Sequence, residues 1–188
     1  MTHSELVNRA LHWLAGRMKC FVTIGGRGVD REIVDAIGWG TDGSVVIECK
    51  ASRSDFLADH KKPCRQPGYE GLGEFRYYMV AKDLVQPDEV PEGWGLLWVY
   101  PKIVRRMVPA TRREETPRMV DLDRRMLLSE GHRLHWKLSV ALSDAPKETR
   151  DWAAPAGLRH ADCVECLAAL EHLGLPRGWA RRHGWISP

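Results

Sequence analysis

The sequence predicts an α/β fold, a mixed sheet flanked by helices, and three observations carry that prediction. Residues 4–18 place Leu6, Ala10, Leu11, Leu14 and Met18 near a 3.6-residue period, the mark of a helix with one buried face. Two strand-like runs, 32–39 and 44–50, flank Gly40, Thr41, Asp42 and Gly43, and an Asp-Gly pair between such runs signals a hairpin. Further on, 75–81 (FRYYMVA) and 95–100 (GLLWVY) are rich in aromatic and β-branched residues and read as strands. Helix, three strands, helix, two or three strands, then helices is the order of a layered α/β core with a helical extension.

Taken in order, Ser4 is the expected cap of the first helix, and a short strand follows at 20–24. The glycines at 25, 26 and 28 fit no dinucleotide or P-loop pattern and read as a turn before the hairpin. A second helix is expected over 53–62. Ser52 caps it, Asp55 completes a short-armed capping box, and Pro63 stops it. Residues 103–108 form a candidate edge strand carrying Arg105 and Arg106. Helices are expected at 121–142 and 161–173, joined by a linker over 144–158 that holds Pro146 and Pro155. The division read from this pattern is a core over 1–110 and a mostly helical C-terminal extension over 111–188.

The 188 residues are 44% hydrophobic and 28% charged, the balance of a soluble globular chain. No run of about 18 apolar residues predicts a membrane span. The start, Met-Thr-His-Ser-Glu, lacks the basic-then-apolar pattern of a secretory signal. Cys20, Cys49, Cys64, Cys163 and Cys166 make a poor disulfide framework, so a cytoplasmic setting is expected. Net charge is only +3, but it is unevenly spread. Lys50, Arg53, Lys61, Lys62 and Arg65 crowd one stretch, and eight Lys or Arg fall within 102–125. Such stretches suit a polyanion-facing surface or an ordinary solvated face.

The hairpin holds the chemistry. With Asp42 and Gly43 as a two-residue loop, Thr41 pairs with Ser44, Ile37 with Glu48, and Asp35 with Lys50. Alternation then aims Asp35, Ile37, Trp39, Val46, Glu48 and Lys50 to one side, with Val34, Ala36, Val45, Ile47 and Cys49 on the other. Two acids and a lysine among apolar neighbours need partners. A structural ion-pair cluster meets that need, and so does a hard divalent cation held between the carboxylates.

Asp35, twelve intervening residues and then Glu48-Cys49-Lys50 resemble the signature of the PD-(D/E)XK nuclease superfamily. The longer strings around them, through Ala51-Ser-Arg-Ser-Asp-Phe-Leu-Ala-Asp59 and Phe75-Arg-Tyr-Tyr-Met-Val80, are similar to MmcB-like DNA-repair nucleases and related phage proteins. The resemblance spans roughly residues 1–108. It implies a restriction-endonuclease-like core and metal-dependent hydrolysis of DNA, in repair or phage DNA processing, with RNA and a homodimer both compatible. It also implies Mg²⁺ or Mn²⁺ on Asp35, Glu48 and the Cys49 carbonyl, and Lys50 as the residue that orients or helps deprotonate the water and stabilises the developing negative charge. Val34 stands where the superfamily often has proline. An additional acid on the first helix is a frequent family feature, and Glu5 fills that position. Glu32 is its rival on the hairpin, expected to face away from Asp35.

Ser52, Arg53, Lys61, Lys62, Arg65 and Arg76 are candidate phosphate contacts. Tyr69, Tyr77 and Tyr78 are candidate base-stacking residues, although alternation places at least one of the last two in the core. Cys163 and Cys166, with His160 and His172 nearby, could ligate zinc. Core packing explains the two cysteines more simply. The rival to catalysis is a nuclease-like scaffold that binds nucleic acid or protein without cutting.

Overall fold

The computed structural model describes residues 1–29, 32–66 and 68–143, with side chains through 134. The expected linker over 144–158, the helix over 161–173 and the cysteine pair Cys163 and Cys166 lie outside the described residues. One compact unit runs Met1–Arg124 and a second runs Arg125–Pro188. The first unit holds the whole sheet and the helices before it and within it.

The chain opens with α1 (His3–Gly16). Thr2, rather than the expected Ser4, caps it: the Thr2 hydroxyl accepts from the Glu5 amide and the Glu5 carboxylate accepts from the Thr2 amide. That reciprocal pair satisfies two of the helix's open donors. Leu6, Ala10, Trp13 and Leu14 form its buried stripe.

Six strands make one sheet in sequence order: β1 (Val22–Val29), β2 (Glu32–Gly40), β3 (Gly43–Lys50), β4 (Phe75–Ala81), β5 (Trp94–Val99) and β6 (Val104–Val108). The two outer pairs on one side, β1·β2 and β2·β3, are antiparallel. β3·β4 and β4·β5 are parallel, and β6 closes the far edge antiparallel to β5. Between β3 and β4 lie α2 (Arg53–Asp59) and a 3₁₀ turn, Pro63–Arg65. Ser52 caps α2 through its hydroxyl to the Asp55 amide, as expected. The helix ends three residues earlier than its expected stop at Lys62. The long α3 (Pro117–Ser143) begins four residues before the reading from periodicity.

Two expectations need correction. The glycines at 25, 26 and 28 do not form a turn; they lie within β1, which pairs with β2 on both sides of Gly26. The hairpin turn is also displaced. Gly40 pairs with Gly43, so Thr41 and Asp42 form the loop, and Ile37 faces Val46 rather than Glu48. The slip is two residues, which preserves the faces because side chains alternate with period two. Gly43 accounts for the shift. Its φ is +123°, and a Cβ there would strike the Glu74 carboxylate, so this position belongs at the strand entry and admits only glycine.

The sheet separates two cores. Ala36, Val45, Ile47, Cys49, Tyr77, Met79, Leu97 and Val99 pack under α1. On the opposite face Phe56 of α2 covers Tyr78, Val80, Leu96 and Trp98. Glu48 and Lys50 belong to the α2 face by alternation.

Candidate functional site

The site forms where β2 and β3 part company. Their ladder ends at Ala36 and Ile47, just short of Asp35 and Glu48. In place of a ladder bond, the Asp35 carboxylate reaches across and accepts the Cys49 amide at 2.8 Å. Its second oxygen lies 3.3 Å from His3 Nε2, at the start of α1. Asp35 therefore grips the backbone of the Glu48-Cys49-Lys50 tripeptide and stays partly open to water.

Glu48 and Lys50 lie deeper, 1% and 2% exposed. Lys50 Nζ is 3.3 Å from Glu48 Oε2 and 2.8 Å from Asp59 Oδ1. Asp59 ends α2 and is the hub. Its Oδ1 also faces Lys62 Nζ (2.7 Å), and its Oδ2 accepts from Arg65 Nε (2.6 Å) and from the Tyr78 hydroxyl (2.8 Å). Arg65, from the 3₁₀ turn, sets Nη2 2.9 Å from Glu48 Oε1 and Nη1 3.3 Å from Glu32 Oε1. Arg76 Nη2 spans both Glu32 oxygens, at 3.0 and 3.2 Å. Trp94 stacks on Tyr78, and both guanidiniums lie over its ring.

Three acids (Glu32, Glu48, Asp59) thus meet three bases (Lys50, Arg65, Arg76) in one buried network. One atom in it is left over. Arg65 is within ion-pair range of Glu48 Oε1 but off the line of a hydrogen bond, so that shielded oxygen accepts none. Burial pushes the Glu48 carboxyl above its ordinary pKa; Asp35 and Asp59 add to the rise, while Arg65 and Lys50 oppose it. Burial pulls Lys50 downward, yet Glu48 and Asp59 outweigh it and the ammonium is held. Burial also acts upward on Asp59, but hydrogen bonds and charges from Lys50, Lys62 and Arg65 keep it far below the carboxylate range.

The other sequence candidates fall in several places. Glu5 is engaged in the α1 cap and the lowering of its pKa comes from its Thr2 hydrogen bonds. Glu32 joins the network rather than facing away from it. The β1·β2 ladder is interrupted at Gly26 and Asp35, with Gly26 at φ +60°, so strict alternation does not carry from Asp35 back to Glu32. Arg65 and Arg76 are buried in ion pairs and are not surface phosphate contacts, because each neutralises a buried carboxylate. Arg53 is exposed and paired with Glu89, Ser52 is a cap, and Lys61 and Lys62 are exposed beside the site. Tyr77 and Tyr78 are both buried, which removes them as base-stacking platforms. Sequence reasoning misses Asp59 as a site residue. Its signal is its place at the end of the string 51–59 that resembles the nucleases, a place that does not by itself mark it as a site residue.

No family model matches the chain, and no curated protein matches it. A solved structure does. The SPO1766 protein of unknown function from Silicibacter pomeroyi is 26% identical, over 77% of this chain and 93% of that one, with a TM-score of 0.56. The mixed α/β architecture is therefore shared with a solved protein. Among the described residues no three His, Cys, Asp or Glu side chains converge as a ready metal cage, and no helix is long and apolar enough to cross a membrane.

Proposed function

We propose that this chain is a metal-dependent nuclease of the PD-(D/E)XK type acting on DNA. The observation that supports it most is the hold of the Asp35 carboxylate on the Cys49 amide, which fastens one acid to the tripeptide bearing Glu48 and Lys50. The donor set fits Mg²⁺ or Mn²⁺, since Asp35, Glu48 and the Cys49 carbonyl offer only oxygen. Glu48 Oε1, which accepts no hydrogen bond, would be an acceptor for such an ion once Arg65 withdraws. A bound divalent ion would supply an activated water and offset charge on the scissile phosphate.

The chain's own groups carry the remaining work. Lys50, kept charged by two carboxylates, is suited to stabilising negative charge and ill suited to acting as a general base. Arg65 Nη2, 2.9 Å from Glu48, could exchange that carboxylate for a phosphate while Nε stays on Asp59, because guanidinium pairs with either anion. Lys61 and Lys62 offer exposed charge at the same rim. Repair and phage DNA processing both suit such an activity.

A second reading is favoured by the burial of Glu48 and Lys50 and by the charge balance of the network. On that reading the ion pairs only hold α2 to the sheet, and the fold binds a partner without cutting. Supercoiled plasmid incubated with Mg²⁺, Mn²⁺ or EDTA separates the two. The nuclease reading expects nicking with either metal and none in EDTA. It expects Lys50→Ala to lower the rate at least ~100-fold, the scale of losing one charge-stabilising group. Metal-independent or absent cutting by folded wild-type protein favours the second reading.

A further inference from the structure

Lys50 touches two carboxylates, and they are not equal partners. Asp59 Oδ1 lies at 2.8 Å, within normal hydrogen-bond length, whereas Glu48 Oε2 is at 3.3 Å, beyond the usual range. Asp59 is fully buried, and its other oxygen is fixed by Arg65 Nε and the Tyr78 hydroxyl. Tyr78 is itself immobilised between Phe56 and Trp94. Asp59 is therefore braced from the sheet, from the 3₁₀ turn and from its own helix, and its carboxylate is the rigid object against which the flexible Lys50 stem comes to rest.

We propose that Asp59 is a positioning residue that aims the Lys50 ammonium and the Arg65 guanidinium at Glu48. The role rests on the nuclease reading only for its consequence in catalysis; the positioning itself does not depend on it. Asp59 holds both cations by separate oxygens, Lys50 on Oδ1 and Arg65 on Oδ2, so one carboxylate sets their spacing on either side of Glu48. Lys62, exposed and sharing Oδ1, is a spectator in this arrangement.

The test reads the Lys50 side chain directly, by the ¹H–¹⁵N signal of its ammonium in NMR. An ammonium ordered by a buried acceptor exchanges slowly enough with water to be seen. The proposal expects a Lys50 signal in wild type, unchanged in Lys62→Ala, retained in Glu48→Gln and lost in Asp59→Asn. Loss in Glu48→Gln with retention in Asp59→Asn would overturn it, as would a signal indifferent to both. If Asp59→Asn does not fold, Glu48→Gln still decides, since loss of the signal there contradicts the proposal. On protein that cuts DNA, Asp59→Asn should lower kcat about tenfold or more with KM unchanged. Wild type that never cuts would end the nuclease reading while leaving the NMR outcome to decide the positioning role.

Discussion

Arg76 shows what a single buried charge does here. Its guanidinium covers Glu32 and also donates to the Leu72 carbonyl, and Glu32 in turn accepts the Leu72 amide. The pair therefore ties β4, β2 and the loop before β4 together. Arg76→Ala leaves Glu32 short of its main partner and should cost about 3–5 kcal/mol, the usual penalty for breaking a buried pair. Urea denaturation measures it. Arg76→Met combined with Glu32→Leu should recover most of the loss, because two apolar groups remove the stranded charge. A single variant with wild-type stability would show that the pair carries no weight. Residue by residue, the acids on the hairpin were legible because Asp35, Glu48 and Lys50 interrupt apolar runs. Arg65 and Arg76 stood out only as phosphate contacts and Asp59 did not stand out at all, because nothing local shows that the fold will enclose each of them against an opposite charge.

At the scale of elements, the start of α3 carries a titratable contact. Asp123 lies against Ser44, Trp39 and Glu74 at the hairpin end of the sheet, and its shielded Oδ1 accepts no hydrogen bond. Burial first, and Glu74 second, push its pKa up to about 7, with Ser44, Trp39 and the Gly73 backbone opposing in part. Arg113 also faces it. The folded state then keeps a proton that the unfolded chain releases near the ordinary value of about 3.9. Stability from this group is complete below that value, falls as pH rises to about 7, and is level beyond. Asp123→Asn should abolish that decline, raising Tm at pH 8 while leaving it nearly unchanged at pH 4. Thermal melts across pH check this, and parallel wild-type and variant curves would contradict it. The elements themselves followed from local pattern. Apolar spacing marked α1, and β-branched and aromatic runs marked β4 and β5. What local pattern missed was set by tertiary contact. The glycines of β1 looked like a turn because nothing local shows that a neighbouring strand will pair them. The hairpin loop slipped because the Glu74 carboxylate, about thirty residues on, claims the space beside Gly43.

For the whole molecule, the parallel centre and antiparallel flanks put the ends of β2 and β3 beside α2 and the 3₁₀ turn, so acids from the sheet meet bases from the following segments. That convergence makes a metal-assisted site and a sealed ion-pair core competing uses of the same residues. Arg65 is the pivot between them, since it covers Glu48 in this structure. The measurement that bears most directly on the choice is single-turnover cleavage of end-labelled single-stranded, duplex and branched DNA in Mn²⁺, comparing wild type with Glu48→Gln. The nuclease account predicts cleavage of at least one substrate by wild type and a rate at least ~100-fold lower for the folded variant, in line with losing a group that acts at the reacting phosphate. Equal rates for the two proteins, or no cleavage of any substrate by wild type, would contradict it.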